Sequence, residues 1–197
     1  MKRLFDVVSA IIGIVLLSPV FLAVAIWIKF DSPGPIFFRQ VRVGRNGETF
    51  RIHKFRSMSV DAESKGKLTV GRRDSRVTRS GNFIRKFKID ELPQLFDVFI
   101  GNMSLVGPRP EVPEYIACYE PAIREKVLSV RPGITDNASI MMVDENAILE
   151  KYDDPHAAYI EQILPIKQKL YVDYVDNHSF VGDLVIIFKT VFKVITR

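Results

Sequence analysis

From Val7 to Ile28 the chain carries no charged residue. Twenty-two helical residues would rise about 33 Å, enough to cross a hydrocarbon core of roughly 30 Å. Two features complicate a plain spanning helix. Ser18-Pro19 interrupts the run, and a proline removes a backbone donor and crowds the preceding turn. Lys2 and Arg3 precede the run while Lys29, Arg39, Arg42 and Arg45 follow it, so the positive-inside tendency draws both ends to the cytoplasmic side. A re-entrant helix-break-helix over residues 1–30 satisfies both, with Ser18 a candidate partner for the backbone freed at Pro19. A spanning helix remains an alternative. So does a secretory signal, since Lys2-Arg3 and Ala23-Val24-Ala25 resemble its charged start and cleavage site, although the apolar run continues to Phe30.

Beyond Asp31-Ser-Pro-Gly-Pro35, the patterning predicts strands over Ile36–Val43 and Glu48–Phe55 joined at Asn46-Gly47, a strong hairpin signal. Asp61–Arg79 is polar and aperiodic, a surface loop with room for a short helix. Ser80–Lys88 predicts a short basic helix. A second helix should begin near Asp90, placed as its N-cap, and end near Gly101. Gly107-Pro-Arg-Pro110 imposes an extended backbone that holds Arg109 on a stiff post. Glu114–Val130 and Asp144–Val175 follow a helical rhythm, the latter with a break expected at Pro165. In the last stretch Val181, Leu184, Val185, Phe188, Val191, Phe192 and Ile195 share a face, which fits an interfacial amphipathic helix and, nearly as well, a core-facing one. The expected class is α+β: one mostly helical, membrane-associated domain with a short β-hairpin, residues 31–197 forming a catalytic unit continuous with the membrane helix.

Charge changes this picture regionally. Arg39–Lys88 holds 15 Lys/Arg against 4 Asp/Glu, a local charge of +11, while the whole chain carries +5. Such a segment suits anionic headgroups, phosphorylated small molecules or nucleic acid. Cys118 is the only cysteine, which excludes an internal disulfide and a thiolate cluster. His53, His156 and His178 lack ligand spacing, and each is expected to be an ordinary surface or boundary residue. No Walker loop, dinucleotide fingerprint or Gly-x-Ser-x-Gly elbow occurs.

The informative stretch is Arg85-Lys-Phe-Lys-Ile-Asp90-Glu91-Leu-Pro-Gln94. Adjacent carboxylates at a helix start suit plain capping. The surrounding cations, Arg85, Lys86, Lys88 and Arg109, exceed what capping needs. A carboxylate attacks a phosphoryl group when cations offset both charges, and Asp90 with Glu91 would suit Mg²⁺.

These residues resemble the small monotopic phosphoglycosyl transferases, the bacterial sugar transferase family. The resemblance spans nearly the whole chain through Lys2-Arg-Leu-Phe-Asp6, Ser18-Pro19, Ser32-Pro-Gly-Pro35, Gln40-Val-Arg-Val-Gly44, Lys54-Phe-Arg-Ser-Met58, Asp90-Glu-Leu-Pro-Gln-Leu95, Gly101-Asn-Met-Ser-Leu-Val-Gly-Pro-Arg-Pro110 and Arg131-Pro-Gly-Ile-Thr135. It implies a re-entrant helix broken at Ser18-Pro19, at the cytoplasmic face of a bacterial inner membrane. Asp90 would be the nucleophile on the β-phosphorus of a UDP-sugar, with UMP released and the phosphosugar then passed to polyprenol phosphate. Glu91 would assist with Mg²⁺ or positioning, and Arg85, Arg109 and Arg131 would bind substrate phosphate. After Thr135 many relatives continue with glycine and an Ala-Gln type run, whereas this chain has Asp136-Asn-Ala-Ser-Ile140, which leaves the donor sugar open. The chain lacks the additional membrane bundle and nucleotide-binding-like domain of larger relatives, so a minimal catalytic form is expected. Oligomeric state stays open, a homodimer included. A non-enzymatic basic membrane adaptor explains the charge and anchor but not Asp90-Glu91 beside Arg109. A nucleic-acid binder is disfavoured by the apolar start and the absence of a recognised motif, so no nucleic-acid partner is expected.

Overall fold

The computed structural model describes residues 1–62, 74–142 and 145–196. The central part of the expected loop at Asp61–Arg79 therefore lies outside the described residues. Helix α1 (Lys2–Asp31) is continuous through Pro19. The expected break is thus not a change of backbone conformation. Pro19 leaves the Val15 carbonyl without its helical donor, and the Ser18 hydroxyl donates to that carbonyl at 2.8 Å.

Both ends of α1 are tied to the folded body. Near its start, Asp6 is buried and accepts from Ser104 Oγ at 2.8 Å and the Leu105 amide at 3.2 Å, while Lys2 pairs with Asp183. At its end, Asp31 accepts from the Ser80 amide and hydroxyl. The Arg56 guanidinium fixes the following turn through the Ser32 and Pro33 carbonyls. Gly34 there has φ +123°, and a Cβ on it would lie 2.1 Å from Arg56 Nη1, so glycine is required on both conformational and steric grounds.

The hairpin forms as two short antiparallel pairs, β1 (Phe37–Phe38) with β4 (Lys54–Phe55) and β2 (Val41–Val43) with β3 (Thr49–Arg51). Asn46 and Gly47 both adopt positive φ at its tip, which explains the Asn-Gly choice. Helix α2 (Arg79–Lys86) is capped by Thr78, whose side chain accepts from the Gly81 amide. Lys88 turns the chain at φ 56° into a 3₁₀ turn, Ile89–Glu91, and α3 (Gln94–Ile100) follows, ending at Gly101 with φ +109°. The N-cap expected of Asp90 does not form. Asp90 lies inside the 3₁₀ turn, without the extended backbone a cap needs, and Pro93 occupies the cap position with no side-chain bond.

Strand β5 (Ser104–Val106) pairs in parallel with β6 (Gly133–Thr135), a contact with no counterpart in the sequence expectation. Gly107 and Gly133 let the backbones cross: a Cβ at 133 would lie 2.1 Å from the Gly107 nitrogen. The single helix expected over Glu114–Val130 is two, α4 (Pro113–Ala117) and α5 (Pro121–Leu128), because Pro121 holds Glu120 extended. After α6 (Asn137–Met141) and α7 (Glu145–Leu149), the interruption falls before Pro155 rather than at Pro165. Helix α8 (Pro155–Ala158) runs through a π turn into α9 (Leu164–Asn177), whose first turn accommodates Pro165. Helix α10 (Phe180–Ile195) is capped by Ser179.

The main core, including Val43, Val112, Tyr115, Tyr159, Leu164 and Tyr171, lies beneath α4, α5, α8 and α9. Two smaller clusters, around Ala10–Val98–Met103 and Val24–Ile28–Phe55–Ile84, attach α1 to the body. The opposite side of α1 leaves Leu4, Val8, Ile11, Val15, Leu22, Ile26 and Phe30 exposed, as α10 leaves Val181, Val185, Phe188, Phe192 and Ile195. The fold is mixed and mostly helical, with short strand pairs and one long apolar N-terminal helix.

Candidate active site

Three backbone devices converge on Asp90 and Glu91. The left-handed residue Lys88 launches the 3₁₀ turn that carries both. Strand β4 delivers Lys54, and the proline post after β5 delivers Arg109. Lys54 Nζ donates to Glu91 Oε1 at 3.0 Å. Arg109 clasps Glu91 through both Nη atoms, Nη1 to Oε2 at 3.1 Å and Nη2 to Oε1, a fork geometry suited to carboxylates and phosphates alike.

Asp90 is placed differently. It is 8% exposed, and its Oδ1 is buried with no hydrogen-bond partner among the described residues. Burial first, then the neighbouring Glu91 charge, push its carboxyl above the usual range, against opposition from Lys54, Arg85 and Lys88. Burial alone would also raise Glu91, but Arg109, with Lys54 and Lys88, outweighs it and holds that carboxyl well below the usual range. Glu91 in turn raises Arg109. Burial drives the Lys54 ammonium down to about 8 despite the attraction of Glu91. The result is one committed anion locked between cations beside one carboxylate poised to gain or lose a proton, an arrangement suited to a nucleophile.

Arg85 lies in the last turn of α2 and acts on Asp90 through charge rather than a direct bond. Arg131 is not part of this cluster: its Nε donates to the Gly101 carbonyl at 2.9 Å, at the far end of α3. Three side chains stand out that the sequence reading did not place. Lys54 is one, hidden among many cations. His53, expected to be an ordinary boundary residue, bonds buried Asp97 through both its amide and Nδ1, each at 2.8 Å. Gln94 is 1% exposed with neither side-chain polar atom bonded among the described residues. Behind Arg109, Glu111 accepts from Tyr159 Oη at 2.8 Å and Lys167 at 3.5 Å, and Lys167 pairs with Glu145 at 2.8 Å, so the proline post rests on a buried ionic network.

A divalent cation can be tested against these donors. Asp90 Oδ1 has no hydrogen-bond partner among the described residues, and it is the oxygen Mg²⁺ would take, since that ion commonly binds one or two carboxylates and fills its shell with water and substrate phosphate. Both Glu91 oxygens are engaged by Arg109 and Lys54.

The family model described as bacterial sugar transferase matches residues 1–197. The chain belongs to that family. It is 40% identical over 197 residues to the UDP-N-acetylgalactosamine-undecaprenyl-phosphate N-acetylgalactosaminephosphotransferase of Aeromonas hydrophila, covering 99% of this chain and 44% of that protein. It is 37% identical over 196 residues to the UDP-glucose:undecaprenyl-phosphate glucose-1-phosphate transferase of Escherichia coli K12, covering 98% and 40%. An exopolysaccharide production protein of Rhizobium leguminosarum bv. phaseoli is 38% identical over 203 residues, covering 100% of this chain and 96% of its own length. The chain thus spans less than half the length of the first two relatives.

Proposed function

We propose that this protein transfers a phosphosugar from a UDP-sugar to a polyprenol phosphate, by way of a phosphosugar carried on Asp90. The observation that carries the reading is the buried, unpartnered Asp90 carboxylate among Lys54, Arg85 and Lys88, beside an Arg109 fork already shaped for an oxyanion. The names of the relatives support the substrate classes.

In the first half, an Asp90 oxygen forms a bond to the β-phosphorus, and the bond between that phosphorus and the bridging oxygen breaks. UMP leaves with the electron pair. In the second half, an oxygen of the polyprenol phosphate attacks the same phosphorus and restores the Asp90 carboxylate, leaving a diphosphate-linked sugar on the lipid. Lys54, Arg85 and Arg109 offset the phosphate charge in both halves. Mg²⁺, when bound, would be held by Asp90 and would supply further neutralisation of diphosphate charge. The ionised Asp90 is the reactive form, so the cations around it also raise the fraction ready to attack.

Docking at one leaflet is part of the reading. A 30-residue helix is about 45 Å long, yet Lys2, Asp6 and Asp31 all bond the same body. That supports an α1 whose two ends stay on one side of the membrane rather than a spanning α1, with the exposed apolar sides of α1 and α10 in lipid at the cytoplasmic face of the inner membrane.

The test is UMP release by protein in detergent with Mg²⁺, undecaprenyl phosphate and a panel of UDP-sugars, with Asp90→Asn alongside. Release from one donor that vanishes in the variant is expected. Undiminished release by Asp90→Asn would remove Asp90 as nucleophile.

A further inference from the structure

At the opposite end of α3 from Asp90 lies a cavity of about 290 Å³, lined by Lys2, Arg3, Asp6, Arg45, Arg131 and His178 among others. Four of these carry positive charge, and the only carboxylate lining it among the described residues, Asp6, is already engaged by Ser104 and Leu105. Lys2 is neutralised by Asp183. Arg3 donates to the Val98 and Phe99 carbonyls, ending α3 as a cation should. Arg45 and Arg131 are different. Each uses Nε on one backbone carbonyl, of Ser129 at 3.1 Å and Gly101 at 2.9 Å. Among the described residues, their Nη groups have no protein partner and neither arginine has an ion-pair partner. Backbone carbonyls anchor both guanidinium planes while leaving the forks free, a preparation for an anion with several oxygens.

The position of the cavity narrows the choice of anion. Its walls come from the start of α1 and from the turn joining α9 to α10, where Phe5 and Phe180 meet edge to face at 5.2 Å. Phe180 and Val181, two and three residues beyond the cavity-lining His178, are exposed at that turn, while Leu4 and Val8 are exposed on the opposite face of α1. A ligand lying here meets apolar surface and a basic pocket together, the arrangement of a lipid tail and its phosphate. We propose that the cavity is a second phosphate site, holding the phosphodiester headgroup of an anionic membrane lipid apart from the Asp90–Glu91 centre. The seven residues of α3 alone put about 10 Å between the two ends, and Asp90 lies beyond the further one. The lipid held here therefore steadies the docked enzyme and takes no part in the chemistry.

The inference rests on the membrane-docked reading above, and the two are separable. The full chain in dodecyl maltoside is titrated with dioctanoyl phosphatidylglycerol, dioctanoyl phosphatidylcholine and inorganic phosphate, with binding read from thermal shift. Phosphatidylglycerol is expected to bind about tenfold tighter than phosphatidylcholine, and Arg45→Gln with Arg131→Gln to remove that advantage. Arg45→Gln alone, at an exposed turn, is expected to remove part of it and keeps the test open should the double variant misfold. Equal binding of the two lipids, or an advantage that survives in the variants, would overturn the site. Inorganic phosphate binding as tightly as phosphatidylglycerol, with the same arginine dependence, would overturn the lipid assignment in favour of a soluble anion. Flotation of wild type with pure phosphatidylcholine vesicles tests docking by itself: failure to float sinks the docked reading, whereas flotation without arginine-dependent selectivity sinks only the pocket.

Discussion

Lys54 is the residue at which function and stability pull apart, and Lys54→Met separates them. Its side chain is 16% exposed, and burial lowers its ammonium from the ordinary 10.5 to about 8. That difference amounts to about 3 kcal/mol by which the fold disfavours the charged amine relative to the neutral one. The folded value lies below the unfolded one, so between about 8 and 10.5 the unfolded chain binds more protons and stability rises with pH. Below about 8 the full penalty is present, including at neutral pH. Methionine has a similar length, no charge and enough flexibility to fill the same space. It forfeits the 3.0 Å bond to Glu91, a loss of about 1–2 kcal/mol, since Arg109 still satisfies both Glu91 oxygens.

The net expectation for Lys54→Met is a gain of about 1–2 kcal/mol, or a rise in Tm of about 2–8 °C for a chain of this size. Activity should move the other way. Removing the cation between two carboxylates and a diphosphate should lower kcat/KM about 100-fold, the usual range for one electrostatic contact at a reacting centre. The assay is paired: thermal unfolding in detergent at neutral pH, and UMP release at subsaturating donor. A variant that melts lower than wild type yet keeps its turnover would refute the claim that the Lys54 charge is held against the interests of the fold.

Other consequences follow from the same geometry. The pH profile of kcat/KM should be a bell, falling on the acid side as Asp90 gains a proton at its raised value and on the alkaline side as Lys54 loses one near 8; an alkaline limb that persists near 8 in Lys54→Met would reassign it. Arg109→Ala should reduce kcat/KM by about 100- to 1,000-fold by removing the fork, and wild-type donor KM and kcat in that variant would contradict its role on phosphate. Glu111→Gln leaves Lys167 short of one buried partner, with an expected loss of stability of about 2–3 kcal/mol and a raised donor KM from a displaced Arg109; unchanged KM with lowered Tm would confine Glu111 to packing.

The features legible in the sequence are those whose signal is local. An uncharged apolar run makes α1, Asn46-Gly47 makes the hairpin tip, and adjacent Asp90-Glu91 beside basic residues points to the cluster in which Lys54 and Arg109 bond Glu91. Prolines were legible only in part, because their effect depends on position. Pro121 divides a helical rhythm since it forces Glu120 extended, whereas Pro165 directly follows a π turn and is accommodated without breaking the helix. Lys54 was hidden by abundance. Among fifteen cations in its region nothing local distinguishes the one that β4 turns toward Glu91.

What placed Arg131 was invisible for a different reason. Strands β5 and β6 have three residues each, too few for a periodic pattern, and they meet only because Gly107 and Gly133 have no side chains to hold their backbones apart. That crossing brings the two proline-bearing loops together while sending their arginines to opposite ends of α3, Arg109 to Glu91 and Arg131 to Gly101. Two arginines in similar sequence settings, each near a proline and a glycine, therefore end at separate places, one on a carboxylate and one on a backbone carbonyl. Chain order gives no hint of the division, since it arises from a pairing between segments that lie nearly thirty residues apart.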